Sequence, residues 1–199
     1  MTSLLTDFST ALAHEIKNPV ALAMAHVELA RLSLEDTTHT KAHLSHIERA
    51  LTDINNIVQD ILFATYGNKP PIEIDVHEML SEILNAYRVA WPGISFSLTA
   101  EPLLIYIQED FLRMILTNLL KNAVEAADQT PHGFVLVSVK STPQNLNITI
   151  TNNATTQQKP YSTNLGISIC HHLAAKINSH VDIIIEENGC EATVYMPRF

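Results

Sequence analysis

Apolar side chains recur every three or four positions through the first third of the chain. Leu5, Phe8, Leu12, Ile16, Val20, Ala23, Val27, Ala30 and Leu34 form one series, which predicts a long helix over residues 2 to 34. A second series, Leu44, Ile47, Leu51, Ile54, Val58 and Ile61, predicts another. Only Glu35, Asp36, Thr37 and Thr38 separate them, a connection short enough to fold the helices back as an antiparallel hairpin. Each helix then offers one apolar stripe, too little core for a hairpin alone. Pairing two hairpins into a dimeric four-helix bundle buries both stripes and makes the protein a homodimer. A monomer with its hairpin docked on the rest of the chain is the alternative.

Gly67-Asn68-Lys69-Pro70-Pro71 ends the second helix, because proline cannot continue it and restricts the residue before. This linker divides a first domain, 1–67, from a second, 72–199. In the second, Asp75-Val76-His77-Glu78 has capping-box spacing, with Asp in place of Ser or Thr, for a helix to about Val89. Alternation at Ile94–Leu98 and Leu103–Ile107 predicts strands. An amphipathic helix over Asp110–Ala127 follows, then strands at Phe134–Val139 and Leu146–Thr151. A helix over Leu165–Ile177 and strands at Val181–Ile185 and Ala192–Met196 close the chain. Helices mixed with mostly adjacent strands predict an α/β sandwich with helices on one sheet face. The fold class is α+β, a helical hairpin followed by that sandwich.

Composition narrows the function. With 199 residues, 46% of them hydrophobic, the chain can build two small cores. A net charge of −9 with no basic cluster argues against nucleic acid and leaves a protein partner or small ligand. Cys170 and Cys190 stand outside any Cys-x-x-Cys spacing and read as reduced structural thiols. No apolar run reaches the roughly 18 to 20 residues that span a bilayer, and the start lacks the basic residues of a signal peptide. The expectation is a soluble cytoplasmic protein without membrane contact.

The candidate chemistry begins at His14. It lies two positions from both Leu12 and Ile16, about 200° around the helix from each, so it faces away from the apolar stripe. A neutral imidazole is a competent nucleophile near neutral pH, and Glu15 beside it can hold the tautomer or take the proton. Pro19 removes the hydrogen bond to the carbonyl of Glu15 and predicts a bend just after the histidine. His39, His43 and His46 are spaced so that two could share a helix face and hold zinc. That reading is set aside, because neither a Cys nor a second carboxylate cluster completes a tetrahedral set. His171 and His172 point in two directions from one helix and read as surface residues.

Ala13-His14-Glu15-Ile16-Lys17-Asn18-Pro19 resembles the phosphoacceptor box of two-component sensor histidine kinases. The resemblance implies that His14 carries a phosphoryl group, that Glu15 is general base, and that Asn18 supports the transfer. Asn118 to Ala127 resembles the asparagine box of the kinase ATP-binding domain, an α/β sandwich shared with gyrase-type ATPases. There the resemblance assigns Mg²⁺ to Asn122 and phosphate to Lys121, with Asn118 on the same face.

After the strand ending at Thr151 the family pattern is Asp-x-Gly-x-Gly, and this chain reads Asn152-Asn153-Ala154-Thr155-Thr156. The acceptor for the adenine amino group becomes a neutral amide, and side chains stand where glycines let the nucleotide approach. Gln157–Thr163 leads directly to Asn164-Leu165-Gly166-Ile167, which is similar to a second glycine box with only Gly166 kept and almost no room for a lid. Gly189 to Pro197 matches the family's last strand.

The resemblance covers nearly the whole chain and implies a fold retained around a vestigial nucleotide site of Asn118, Lys121, Asn122, Asn152 and Gly166. The favoured expectation is a histidine phosphotransferase of a phosphorelay, similar to sporulation phosphotransferases, using no cofactor and serving response-regulator receiver domains. The alternative is a minimal autokinase that phosphorylates His14 from Mg-ATP. A pseudokinase serving only as a dimeric docking platform would leave the phosphoacceptor box idle.

Overall fold

The computed structural model describes residues 2–34, 36–66, 69–154, 165–186 and 189–197; of residues 2–15, 52, 55, 56, 59–66 and 165 it describes the backbone alone. Residues 1–66 with 163–168 make up one compact unit, and residues 67–162 with 169–199 the other.

The first unit is the hairpin of α1 (Thr2–Leu32) and α2 (Thr37–Tyr66). Hydroxyl and carboxylate side chains close the turn between them. Ser33 Oγ donates to Leu29 O at 2.8 Å, and Thr40 Oγ1 donates to Ser33 O at 2.6 Å. Asp36 Oδ1 accepts from the N–H groups of Thr38 and His39 at 2.9 and 3.1 Å, satisfying two orphan donors at the start of α2. α1 runs through Pro19 as one helix.

The two helices bury alanines: Ala23, Ala30 and Ala50. The larger residues of the predicted stripes behave differently. Val20, Val27, Leu44, Leu51 and Val58 remain exposed, and Val20, Val27, Ile47, Leu51 and Ile54 line a groove running along the hairpin. Small side chains let the two backbones approach, and the bulky ones are left on the outer face.

The second unit contains β1 (Ile72–Asp75), α3 (Val76–Ala90), β2 (Ser95–Thr99), β3 (Leu104–Ile107), α4 (Glu109–Ala127), β4 (Phe134–Ser141), β5 (Asn145–Asn152), α5 (Leu165–Lys176) from Ile169 on, β6 (His180–Glu186) and β7 (Gly189–Pro197). Five strands form one sheet in the order β2-β4-β5-β7-β6, with β2 parallel to β4 and the other neighbours antiparallel. The parallel pair requires a crossover, which α4 supplies. β1 and β3 form a separate antiparallel ladder. The sequence reading had no strand at Ile72–Asp75, where it placed the linker's end and the helix cap. Both apply: Asp75 closes β1 and caps α3, its Oδ1 accepting from His77 N at 2.8 Å and Glu78 N at 3.2 Å.

The core lies between α3, α4, α5 and the sheet. Leu80 and Leu84 of α3, Leu112, Ile115, Leu116, Leu119 and Leu120 of α4, and Ile169 and Leu173 of α5 are fully buried. Alternate strand residues Val135, Val137, Leu146, Ile148, Ile150 and Val194 meet them. Cys170 Sγ reaches Ile115 O at 3.6 Å, fixing α5 against α4. The other sheet face is polar. Thr149 and Thr193 pair across β5 and β7 with hydroxyls 3.1 Å apart, and the rings of His180 and Tyr195 stack at 4.7 Å. One buried face and one polar face produce the period-two alternation of the sequence.

Candidate phosphoacceptor and nucleotide sites

His14, Glu15 and Asn18 all lie on α1. Asn18 is exposed, while the side chains of His14 and Glu15 fall outside the described residues. Four positions separate His14 from Asn18, which puts both on one helix face.

α4 carries the asparagine box. Its buried face takes Leu116, Leu119, Leu120, Ala123 and Val124 into the core, leaving Lys121 exposed and Asn118, Asn122 and Glu125 half-buried along the margin. Asn118 Nδ2 donates to Met114 O at 3.1 Å, so this amide is turned back onto its own helix. Lys121 Nζ stands 3.9 Å from Glu125 Oε1, an exposed pair that holds neither side chain firmly. Asn122 offers an amide oxygen of the hard type that suits Mg²⁺. On the neighbouring helix the Tyr87 hydroxyl donates to Thr117 O at 3.1 Å. Burial, and secondarily the charge of Glu125, pushes the Tyr87 hydroxyl up to about 12.

The nucleobase side lies where β5 ends. Asn152 is buried, and its Oδ1 accepts from Ala154 N at 2.9 Å. The amide oxygen that would stand in for the family's carboxylate is therefore engaged within its own turn. Ala154, in the position of the first glycine, is buried as well. Asn153 is spent on the fold: its Oδ1 accepts from Phe134 N at 2.9 Å and its Nδ2 donates to His132 O at 3.2 Å. Across the sheet, a methyl group on Gly189 would sit 2.5 Å from Asn152 O, so glycine is required for β7 to pass this close. The thiol of Cys190, paired in register with Asn152, is pushed up by burial and then by Glu191. Gly166 is the second residue of α5, whereas Thr155, Thr156 and Asn164 fall outside the described residues.

A cavity of about 520 Å³ does exist in this unit, at the other end of β5. Leu104, Tyr106, Leu146, Lys176 and Met196 are among its walls, and none of Asn118, Lys121, Asn122 or Asn152 is.

One cluster went unread in the sequence. His26 of α1 meets His43 and His46 of α2, with His26 Nδ1 and His43 Nδ1 3.1 Å apart and the His26 and His46 rings stacked at 4.4 Å. Burial, then the nearby His46 and His43, lowers the His26 pKa. His39 lies outside the group; its Nδ1 is 2.6 Å from Asp36 Oδ2, and this bond holds the Asp36 carboxyl below its ordinary range. The signal was available. His26 lies seven residues before Ser33 and His43 seven after Asp36, so folding back at that turn brings them level.

Residues 4–67 match the His Kinase A (phospho-acceptor) domain, and residues 107–199 match the Histidine kinase-, DNA gyrase B-, and HSP90-like ATPase domain. These two domains, in this order over most of the chain, define the catalytic core of a two-component histidine kinase. The chain belongs to that family.

Among curated relatives, the nitrogen regulation protein NtrY of Azorhizobium caulinodans is 28% identical over 169 residues, covering 77% of this chain and 22% of its own length. Sporulation kinase D of Bacillus subtilis is 22% identical over 98% of this chain and 42% of its own length. The chain thus spans between about a fifth and a half of the curated relatives it matches. Histidine kinase ThkA, in a structure with the response regulator TrrA, superposes with a TM-score of 0.77 at 21% identity, over 100% of this chain and 63% of that one. Acinetobacter baumannii histidine kinase AdeS gives 0.69 at 14% identity, over 92% and 97%. Both share the fold. Among the described residues no helix is long and apolar enough to cross a membrane.

Proposed function

We propose that this chain is a histidine phosphotransferase of a two-component phosphorelay, with residues 1–67 as the dimeric phosphoacceptor domain and 72–199 as a nucleotide-domain fold without nucleotide use. A phosphoryl group leaves an aspartyl phosphate on one response-regulator receiver domain as its P–O bond breaks. It joins the His14 imidazole as a P–N bond forms, and the reverse step delivers it to another receiver aspartate. Glu15 takes and returns the imidazole proton, and Asn18, one turn on, orients the phosphoryl oxygens. Such work belongs in the cytoplasm, where receiver domains are found.

The observation that carries this reading is the engagement of Asn152. Adenine offers an amino group that needs an acceptor, and Asn152 Oδ1 already receives Ala154 N–H from inside the fold. Ala154 adds a methyl group where approach was needed, so the residues on this side do not fit a nucleobase. Asn122 alone suits Mg²⁺. The partner class draws support from ThkA, whose structure includes a response regulator.

The autokinase reading is favoured by one feature, the retention of Asn118, Lys121 and Asn122 together on the open margin of α4. Labelled phosphate separates the two. A phosphorylated receiver domain is expected to label native protein and not His14→Gln, while Mg-ATP at millimolar concentration labels neither. Labelling of His14 from ATP alone overturns the phosphotransferase assignment in favour of the autokinase.

A further inference from the structure

We propose that His26 and His43, with His46 beside them, form a binding site for a divalent transition-metal ion, one that bridges α1 and α2 on the turn side of the hairpin. This site is independent of the phosphoacceptor reading. Two ligand nitrogens about 2.0 to 2.1 Å from one ion stand about 2.8 to 3.4 Å apart as the angle between them goes from square to tetrahedral. The Nδ1 atoms of His26 and His43 stand 3.1 Å apart. They come from different helices, so an ion taken up between them would bridge α1 and α2. The pairing adds to a hairpin seam in which Ala23, Ala30 and Ala50 are already buried.

Without an ion, one of the two nitrogens carries a proton and donates it to the other. An entering cation displaces that contact when the donating ring moves its proton from Nδ1 to Nε2. Both rings stay neutral and both Nδ1 lone pairs face the ion, so the exchange balances without release of a proton. His46 is stacked on His26 rather than aimed at the gap, and no three donors among the described residues already surround one point. The proposed arrangement is therefore a two-nitrogen chelate, with water completing the shell and His46 stacked beside it. His46 is exposed and the other two rings are half-buried, which leaves an entry path. Imidazole ligands select Zn²⁺, Ni²⁺ and Cu²⁺ over Mg²⁺ and Ca²⁺, and a net charge of −9 favours any cation.

Calorimetric titration of the full chain with zinc chloride and nickel chloride tests this. One saturable ion per protomer is expected. His26→Asn and His43→Asn should each weaken it by at least the roughly 10- to 100-fold that even an outer-shell partner is worth. His39→Asn should leave it within about twofold, because that ring is held by Asp36 outside the cluster. Circular dichroism establishes that each variant keeps its helices. Should a variant unfold, Cu²⁺ on the unaltered chain gives the same answer by electron paramagnetic resonance. Hyperfine splitting from two or three imidazole nitrogens supports the site, and an oxygen-only signal overturns it. Absence of saturable binding up to about 1 mM ion, or binding that survives both His26→Asn and His43→Asn, also overturns it.

Discussion

Val27→Glu should take the proposed dimer apart, and the size of the effect follows from how the hairpin distributes its side chains. Val20, Val27 and Leu51 keep 37%, 36% and 56% of their surface exposed in a single hairpin. Fully burying such a side chain stabilises by about 1.5 to 3 kcal/mol, so covering the remaining third to half contributes about 0.5 to 1.5 kcal/mol. A symmetric dimer carries every substitution twice. Val27→Glu therefore forfeits about 1 to 3 kcal/mol of apolar burial and places two carboxylates at the edge of an apolar seam, where each costs well under the several kcal/mol of a fully buried ion because the position is still about a third open to water. A net loss on the order of 4 kcal/mol is about three decades in dissociation constant. Sedimentation equilibrium should find native protein at twice the chain mass and the variant at the chain mass. Val89→Glu, at a valine 85% exposed on the second unit, should change nothing. Native protein at the mass of one chain, or a Val27→Glu dimer of unchanged affinity, refutes the argument that the bulky stripe residues await a second hairpin.

Other consequences are local. Asp75→Ala removes the side chain that caps two N–H groups of α3 and should destabilise the second unit by about 1 kcal/mol in urea titration; an unchanged midpoint would mean that the cap contributes nothing. Gly189→Ala drives a methyl group toward Asn152 O and should cost about 1 to 3 kcal/mol, also read by urea, while a neutral result would show that β7 can shift. Tyr87, with its pKa raised to about 12 by burial, contributes stability that is complete below the ordinary value of 10.0 and is lost as pH rises between the two. Absorbance at alkaline pH should show one of the five tyrosines ionising near pH 12 in folded protein and near pH 10 in urea; a single common transition in folded protein contradicts its burial.

Most of the architecture is written in periodicity. The spacing of Leu44, Ile47 and Leu51 marks α2, and the alternation from Leu146 to Ile150 marks a strand whose one face meets the core. The α3 cap was legible because Asp75 and Glu78 stand at the right spacing. β1 was not, because four residues after Pro70-Pro71 hold too little pattern, and its partner β3 lies beyond a whole helix. The stripe residues also misled in one respect: pattern identifies an apolar face but not what covers it, and here alanines make the contact within the hairpin. The His26 cluster was missed for the same kind of reason. Spacing along α2 relates His39, His43 and His46 only to one another, whereas the imidazole that meets two of them arrives from α1.

The separation of core from site is what would let a nucleotide pocket erode, as the phosphotransferase proposal requires, while its fold persists. α4 holds the sandwich together through Leu112, Ile115, Leu116, Leu119 and Leu120, none of which faces the margin where Asn118, Lys121 and Asn122 stand. At the end of β5, replacing a carboxylate by Asn152 leaves no orphaned charge, and its buried amide oxygen finds Ala154 N–H. Ala154 fills with a methyl group the space that a glycine would leave beside the backbone. Each change removes something a nucleobase needs and satisfies something the fold needs. On the proposed phosphotransferase reading, loss of nucleotide use would therefore carry little cost in stability. The phosphoacceptor box lies on α1, outside these residues, so the phosphoryl transfer proposed between receivers and His14 makes no use of them.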